Sequence, residues 1–157
     1  MGIAISLKQY LDGRGVPYEV MTHERTHCSS ETAHASSINE DNLAKGVLIR
    51  REDGYLLAIV PASCHVQIEA LGKWLQEAIE LATEMEASVI FGDCELGSVP
   101  PVADAYGLMA VMDDKLESSS DIYFEGGDHC TLVHLTGRNF HRLMLEVPHA
   151  HISARNH

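Results

Sequence analysis

Positive charge is what this sequence has least of: 11 lysines and arginines stand against 23 aspartates and glutamates, a formal net charge of −12 at pH 7. That balance favours solubility and argues against broad, nonspecific adhesion to nucleic acid or anionic lipid, so any contact with nucleic acid must come from a local basic patch. Long apolar runs are missing as well; none approaches a membrane span, and no membrane partner is expected. The four cysteines, Cys28, Cys64, Cys94 and Cys130, form no CxxC pair and follow no secretory segment. We therefore expect reduced thiols in a cytoplasmic protein. GxGxxG and GxxxxGKS/T are both absent, which removes the common dinucleotide and P-loop readings. Repeats and linkers are absent too, and 157 residues suffice for one domain, residues 1–157, to bury a core without staples.

What is present begins with the stretch from Asp41 to Pro61. Val47, Leu48 and Ile49 form a short apolar run, Arg51-Glu52-Asp53-Gly54 is a turn signal, and Tyr55 to Val60 is a second run closed by Pro61. This predicts two paired strands buried on both faces, with Lys45 at the entry of the first. Ahead of them, Ser6 to Gln9 has the form of a capping box opening a short helix that Gly13 and Gly15 end, Tyr18 to Met21 reads as a strand, and Ser29 or Ser30 is placed to cap a helix through Ala35. Beyond the hairpin, Ile68, Leu71, Leu75 and Ile79 recur at helical spacing within His65 to Ile79, and Thr83 to Glu86 is a second capping box. Leu108 to Met112, Ile122 to Phe124 and Thr131 to Leu135 predict strands; Thr136 is placed to cap a closing helix bearing Phe140, Leu143, Met144 and Val147. The tail from Pro148 has little pattern and is expected to be loosely held. Hairpins with helices between and after them predict an α+β domain with a mixed, mainly antiparallel β-sheet covered by helices.

Ten histidines raise the question of a metal. Three cysteines have a histidine neighbour, in His27-Cys28, Cys64-His65 and His129-Cys130, but adjacent strand residues point to opposite faces, and there is no HExxH. No metal and no cofactor are expected. Two other features bear on chemistry. The loop Gly97-Ser98-Val99-Pro100-Pro101 can turn backbone N–H groups inward around its glycine while the prolines stiffen it, giving a nest for a carbonyl oxygen or phosphate; a plain surface turn has the same composition. Lys45 is either a cation placed with a purpose or a solvated strand end.

Thr32-Ala33-His34, Leu43 to Val47, Leu57 to Ala62, Cys94 to Pro101 and Phe124 to His129, in that order and spacing, resemble the YbaK/EbsC family. These are free-standing aminoacyl-tRNA deacylases related to the editing domain of bacterial prolyl-tRNA synthetase. The resemblance implies that family's fold, a partly closed, barrel-like sheet with helices, and ester hydrolysis at the 3′-terminal ribose of a mischarged tRNA without a metal. It puts the family's lysine on Lys45 and its glycine-to-proline loop on Gly97 to Pro101, with His129 near the pocket. Ser98, Val99 and Pro100 would line the substrate, His34 would order the loop before Lys45, and Arg50, with Arg51, Lys73, Arg138 and Arg142, would meet the tRNA acceptor end. Lys45 would act either as a cation on the terminal phosphate or ester, or, partly desolvated, as a base. A synthetase or elongation factor is a conceivable delivery partner. The competing readings are a noncatalytic aminoacyl-tRNA or synthetase-binding module and a metal-dependent hydrolase.

Overall fold

The computed structural model describes residues 2–26 and 28–156. His27 of the His27-Cys28 pair therefore lies outside the described residues. Helix α1 (Ile5–Arg14) buries Leu7 and Leu11 and is closed by Gly15 in the left-handed conformation, φ 65°. Ser6 does not cap it. It lies inside the first turn, and its backbone N–H donates to the Asp93 carboxylate at 2.8 Å, so a distant side chain satisfies the helix end where a local box was expected. Strand β1 (Glu19–Thr22) and helix α2 (Ser29–Ala35) follow; the cap position of α2 falls on Cys28, one residue ahead of the serines expected there, with no side-chain cap bond.

The hairpin forms as its pattern dictates. β2 (Ala44–Arg51) and β3 (Gly54–Pro61) pair antiparallel from Ala44 opposite Pro61 to Arg51 opposite Gly54. β4 (Cys64–Val66) comes next, and only then α3 (Ile68–Leu75), shorter at both ends than the spacing suggested. His65 is held in a strand, and Gln76 ends the helix by adopting a left-handed conformation at φ 60°. After β5 (Glu80–Leu81), α4 (Glu84–Ile90) opens on the expected box: the Thr83 hydroxyl accepts from the Glu86 N–H at 3.1 Å and the Glu86 carboxylate accepts from the Thr83 N–H at 2.8 Å. The chain closes with β6 (Met109–Asp113), β7 (Asp121–Glu125), β8 (Thr131–Thr136), α5 (Gly137–Leu143), β9 (His149–Ala150) and β10 (Ser153–Arg155). The Thr136 hydroxyl caps α5 through the Asn139 N–H.

The pairings make a mixed α+β architecture of three sheets, in the orders β5-β2-β3-β6-β9, β1-β8-β7 and β10-β4. The first contains parallel pairs, β3 with β6 and β6 with β9; the other two are antiparallel. A bridge between Leu43 and Tyr123 joins the entry of β2 to β7. Alternation along β3 then builds two cores. Leu57 and Ile59 face Ile122, Phe124, Val133 and Leu135 of the second sheet, with Leu7, Leu11, Phe140 and Leu143 of α1 and α5 closing that core. Leu56, Ala58 and Val60 face the opposite way, onto Leu71 of α3 and Ile152 of the tail. Each fully buried Leu, Ile, Val or Phe side chain among these contributes roughly 1.5–3 kcal/mol. The tail is thus not loose. β10 pairs with β4, Ile152 and Ser153 are fully buried, and the Ile152 N–H donates to the buried Asp113 carboxylate at 3.0 Å. Among the described residues no helix is long and apolar enough to cross a membrane.

Candidate functional site

β5 pairs with β2 at Ile49 and Arg50, and β7 bridges the chain at Leu43, so among the described residues the edge from Lys45 to Val47 between them carries no strand pairing. A cavity of about 380 Å³ occupies that space. Four segments wall it: the start of α2 at Cys28 and Ser29, the edge of β2 from Lys45 to Leu48, the passage from β5 into α4, and the loop residues Leu96, Gly97 and Val99. Its volume is at the small end of ligand sites, room for a small acyl group and part of a sugar.

Lys45 is half-buried, and among the described residues its ammonium group makes no ion pair or hydrogen bond. Burial pulls its pKa below the ordinary lysine value, and the proximity of Cys64, Glu40 and Cys28 only opposes this. A cation held in that way is costly unless something completes its surroundings.

The loop opposite is a turn with a defined shape. The Ser98 N–H donates to the Glu95 carbonyl at 3.2 Å, and Gly97, at φ 84°, occupies the position where such a turn needs a residue free to enter the left-handed region. Ser98 is fully buried and its hydroxyl donates to the same carbonyl, so it props the turn from within and does not face the cavity. Pro100 and Pro101 are buried and offer no N–H. That leaves Gly97 and Val99, both of which line the cavity and whose N–H groups donate to no acceptor among the described residues.

Behind the loop, the β7–β8 turn holds it. The Glu95 N–H donates to the Gly127 carbonyl at 2.7 Å, the His129 Nε2–H donates to the Leu96 carbonyl, and Arg25 pairs with Glu95. His129 is buried at φ 61° and does not line the cavity; its ring fixes the carbonyl just before Gly97. In the same loop, burial pushes the Cys94 thiol up to about 12, which disfavours the thiolate.

Lys45, Gly97 and Val99 therefore meet at one cavity, while the other expected site residues stand apart from it. His34 lies exposed on α2 outside the lining. Arg50 points along the outside of β2, engaged by Glu80 and, at 3.5 Å, by Glu86; Arg51 is paired with Glu77 at 2.8 Å. Sequence reasoning missed the walls made by Cys28, Ser29, Thr83 and Glu84, and no local signal marks them, since each is brought in by a separate element. It also passed over Glu125. This carboxylate is buried near Thr32 and His129, with His23 Nε2 at 3.7 Å, and burial raises its pKa to about 7, with the Thr32 hydroxyl and His129 opposing the shift. Among the described residues one trio offers metal-ligand atoms close together, Asp114, Glu117 and His149; all are exposed, and none is a cavity residue.

A sequence profile described as the aminoacyl-tRNA editing domain matches residues 23–143. No curated protein sequence matches the chain. Among solved structures, a hypothetical protein superposes with a TM-score of 0.84 at 20% identity, covering 95% of this chain and 99% of its own. A candidate trans-editing enzyme for prolyl tRNA synthetase superposes with a TM-score of 0.83 at 21% identity, covering 95% of both chains. A larger candidate signal transduction protein from Marinobacter aquaeolei VT8 contains the same fold, with a TM-score of 0.77 at 19% identity over 96% of this chain and 30% of its own. At these identities the likeness is one of fold.

Proposed function

We propose, because the chain belongs to the aminoacyl-tRNA editing domain family, that it is a trans-editing hydrolase removing the amino acid from mischarged tRNA. The observation that carries this reading is the meeting of an unpaired, half-buried Lys45 with the unengaged N–H groups of Gly97 and Val99 at one small cavity. Water attacks the carbonyl carbon of the ester on the 3′-terminal ribose, and the carbonyl electrons move onto oxygen. The two N–H groups stabilise that oxyanion, in a turn already fixed by Ser98 and His129 so that little reorganisation is needed. Collapse expels the ribose oxygen, which takes a proton, and the products are a free amino acid and an uncharged tRNA. Lys45 supplies positive charge facing the ester and the terminal phosphate. The reaction needs no metal in this scheme.

A small cavity suits the logic of editing, in which a second site accepts the small amino acids that a synthetase pocket rejects poorly. The test is hydrolysis of tRNA charged with alanine, serine, threonine or cysteine by the protein and by Lys45→Ala. Release of at least one amino acid by the parent, lost in the variant, is the expected result. Tight binding of a charged tRNA without turnover would favour a noncatalytic binding module, and activity abolished by chelator and restored by zinc would favour the metal-dependent alternative.

A further inference from the structure

Glu84 is the one carboxylate lining the cavity among the described residues. It stands at the first position of α4, on a different wall from Lys45, is exposed, and makes no ion pair or hydrogen bond with another described residue. Elsewhere in this chain six cations, Lys8, Arg25, Arg50, Arg51, Lys115 and Arg155, are paired with carboxylates, while Arg14, Lys73, Arg138 and Arg142 make no ion pair among the described residues. At the cavity it leaves one cation and one anion unmatched on separate walls, the rest of the lining being largely apolar, from Val47 and Leu48 to Leu81, Ala87 and Val99. The arrangement is complementary to a ligand that carries a positive and a negative end.

We propose that Glu84 receives the α-ammonium group of the aminoacyl ester and thereby makes the site selective for amino acids over other acyl groups. This rests on the editing function proposed above. An amino acid esterified to the 3′-terminal ribose has one cation, the ammonium, a single carbon away from the carbonyl carbon; its nearest anion is the phosphate on the far side of the sugar. With the ammonium drawn to Glu84 and the phosphate side to Lys45, the carbonyl lies between them, opposite Gly97 and Val99. The ion pair thus orients the reacting bond as well as holding the ligand. A carboxylate in the first turn of a helix is also favoured by the helix itself, so the deciding measurement is one of selectivity and not of stability.

The experiment compares alanyl-, seryl- and threonyl-tRNA with their α-hydroxyacyl counterparts, lactyl-tRNA being that of alanyl-tRNA, near pH 6.5, below the ordinary α-amino pKa of about 7.7–8. For the ester it hydrolyses best, the parent protein should prefer the amino to the hydroxy form by about tenfold or more in kcat/KM, the range of a charge-assisted hydrogen bond. In Glu84→Gln that preference should shrink towards one and in Glu84→Lys it should invert, with both variants remaining folded and melting at or a few degrees below the parent. A parent that discriminates while Glu84→Gln discriminates equally well overturns the assignment of Glu84 and leaves the editing function standing. A parent that hydrolyses none of these esters overturns both.

Discussion

Lys45 holds a charge whose cost is met by no described protein partner, so removing it should hurt function and spare the fold. Lys45→Ala is expected to lower deacylation about a hundredfold or more, with a melting temperature no lower than the parent's. Lys45→Arg should also be impaired, because a planar fork does not replace a compact ammonium in a small cavity. With Lys45 acting as a cation, the rate should fall at alkaline pH as it deprotonates; a rate that climbs through that limb would make it the base instead. Glu125 gives a second test, on stability. Its folded pKa, about 7, lies above the ordinary glutamate value of 4.5, so the folded protein binds the extra proton between them. The stabilisation is complete below about pH 4.5 and is lost as pH rises through about 7. Glu125→Gln, which keeps the neutral shape, should flatten that decline and exceed the parent in stability near pH 8, by at most a few kcal/mol. Urea unfolding across this range measures it, and parallel profiles for the two proteins would remove Glu125 as the source.

At the scale of elements, the turn from Glu95 to Ser98 is sensitive to a single methyl group. Gly97 sits at φ 84°, where an L side chain costs on the order of 1 kcal/mol. Gly97→Ala should therefore reduce turnover while leaving the melting curve close to the parent's; parental turnover would reduce the loop to a connector. The same element shows what could be read in advance. Glycine and two prolines announce a shaped loop, and Lys45 opposite it is legible because a cation entering an apolar strand is locally anomalous. The capping box at Thr83 and the hairpin from Ala44 to Pro61 were legible for a similar reason: their signals lie within a few residues of one another. What was not legible depends on distant partners. Asp93 caps a helix that begins at Ile5, His65 leaves its helix to pair with Ala154, and the patternless tail is ordered by Asp113 and β4. Glu84 reads as an ordinary helix-opening carboxylate until β2 is seen beside it.

For the whole molecule, a charge of −12 with Arg50 and Arg51 already matched to carboxylates leaves few cations for a phosphate backbone. The affinity for charged tRNA should depend weakly on salt, with a slope of log affinity against log salt on the order of 1 to 3. A steeper slope, measured by titration over a range of salt, would require a basic surface that these ion pairs do not provide.

The pairing of β1 with β8 sets Glu19 opposite His134, so one strand waits for another made 115 residues later. The segment leading to Cys28 and Ser29 hangs from β1, and the turn that grips Leu96 leads into β8. Such long-range closures are slow steps in folding. On a ribosome, the hairpin with Lys45 forms while its cavity still lacks two walls, and the cavity is complete only after residues beyond His134 have emerged.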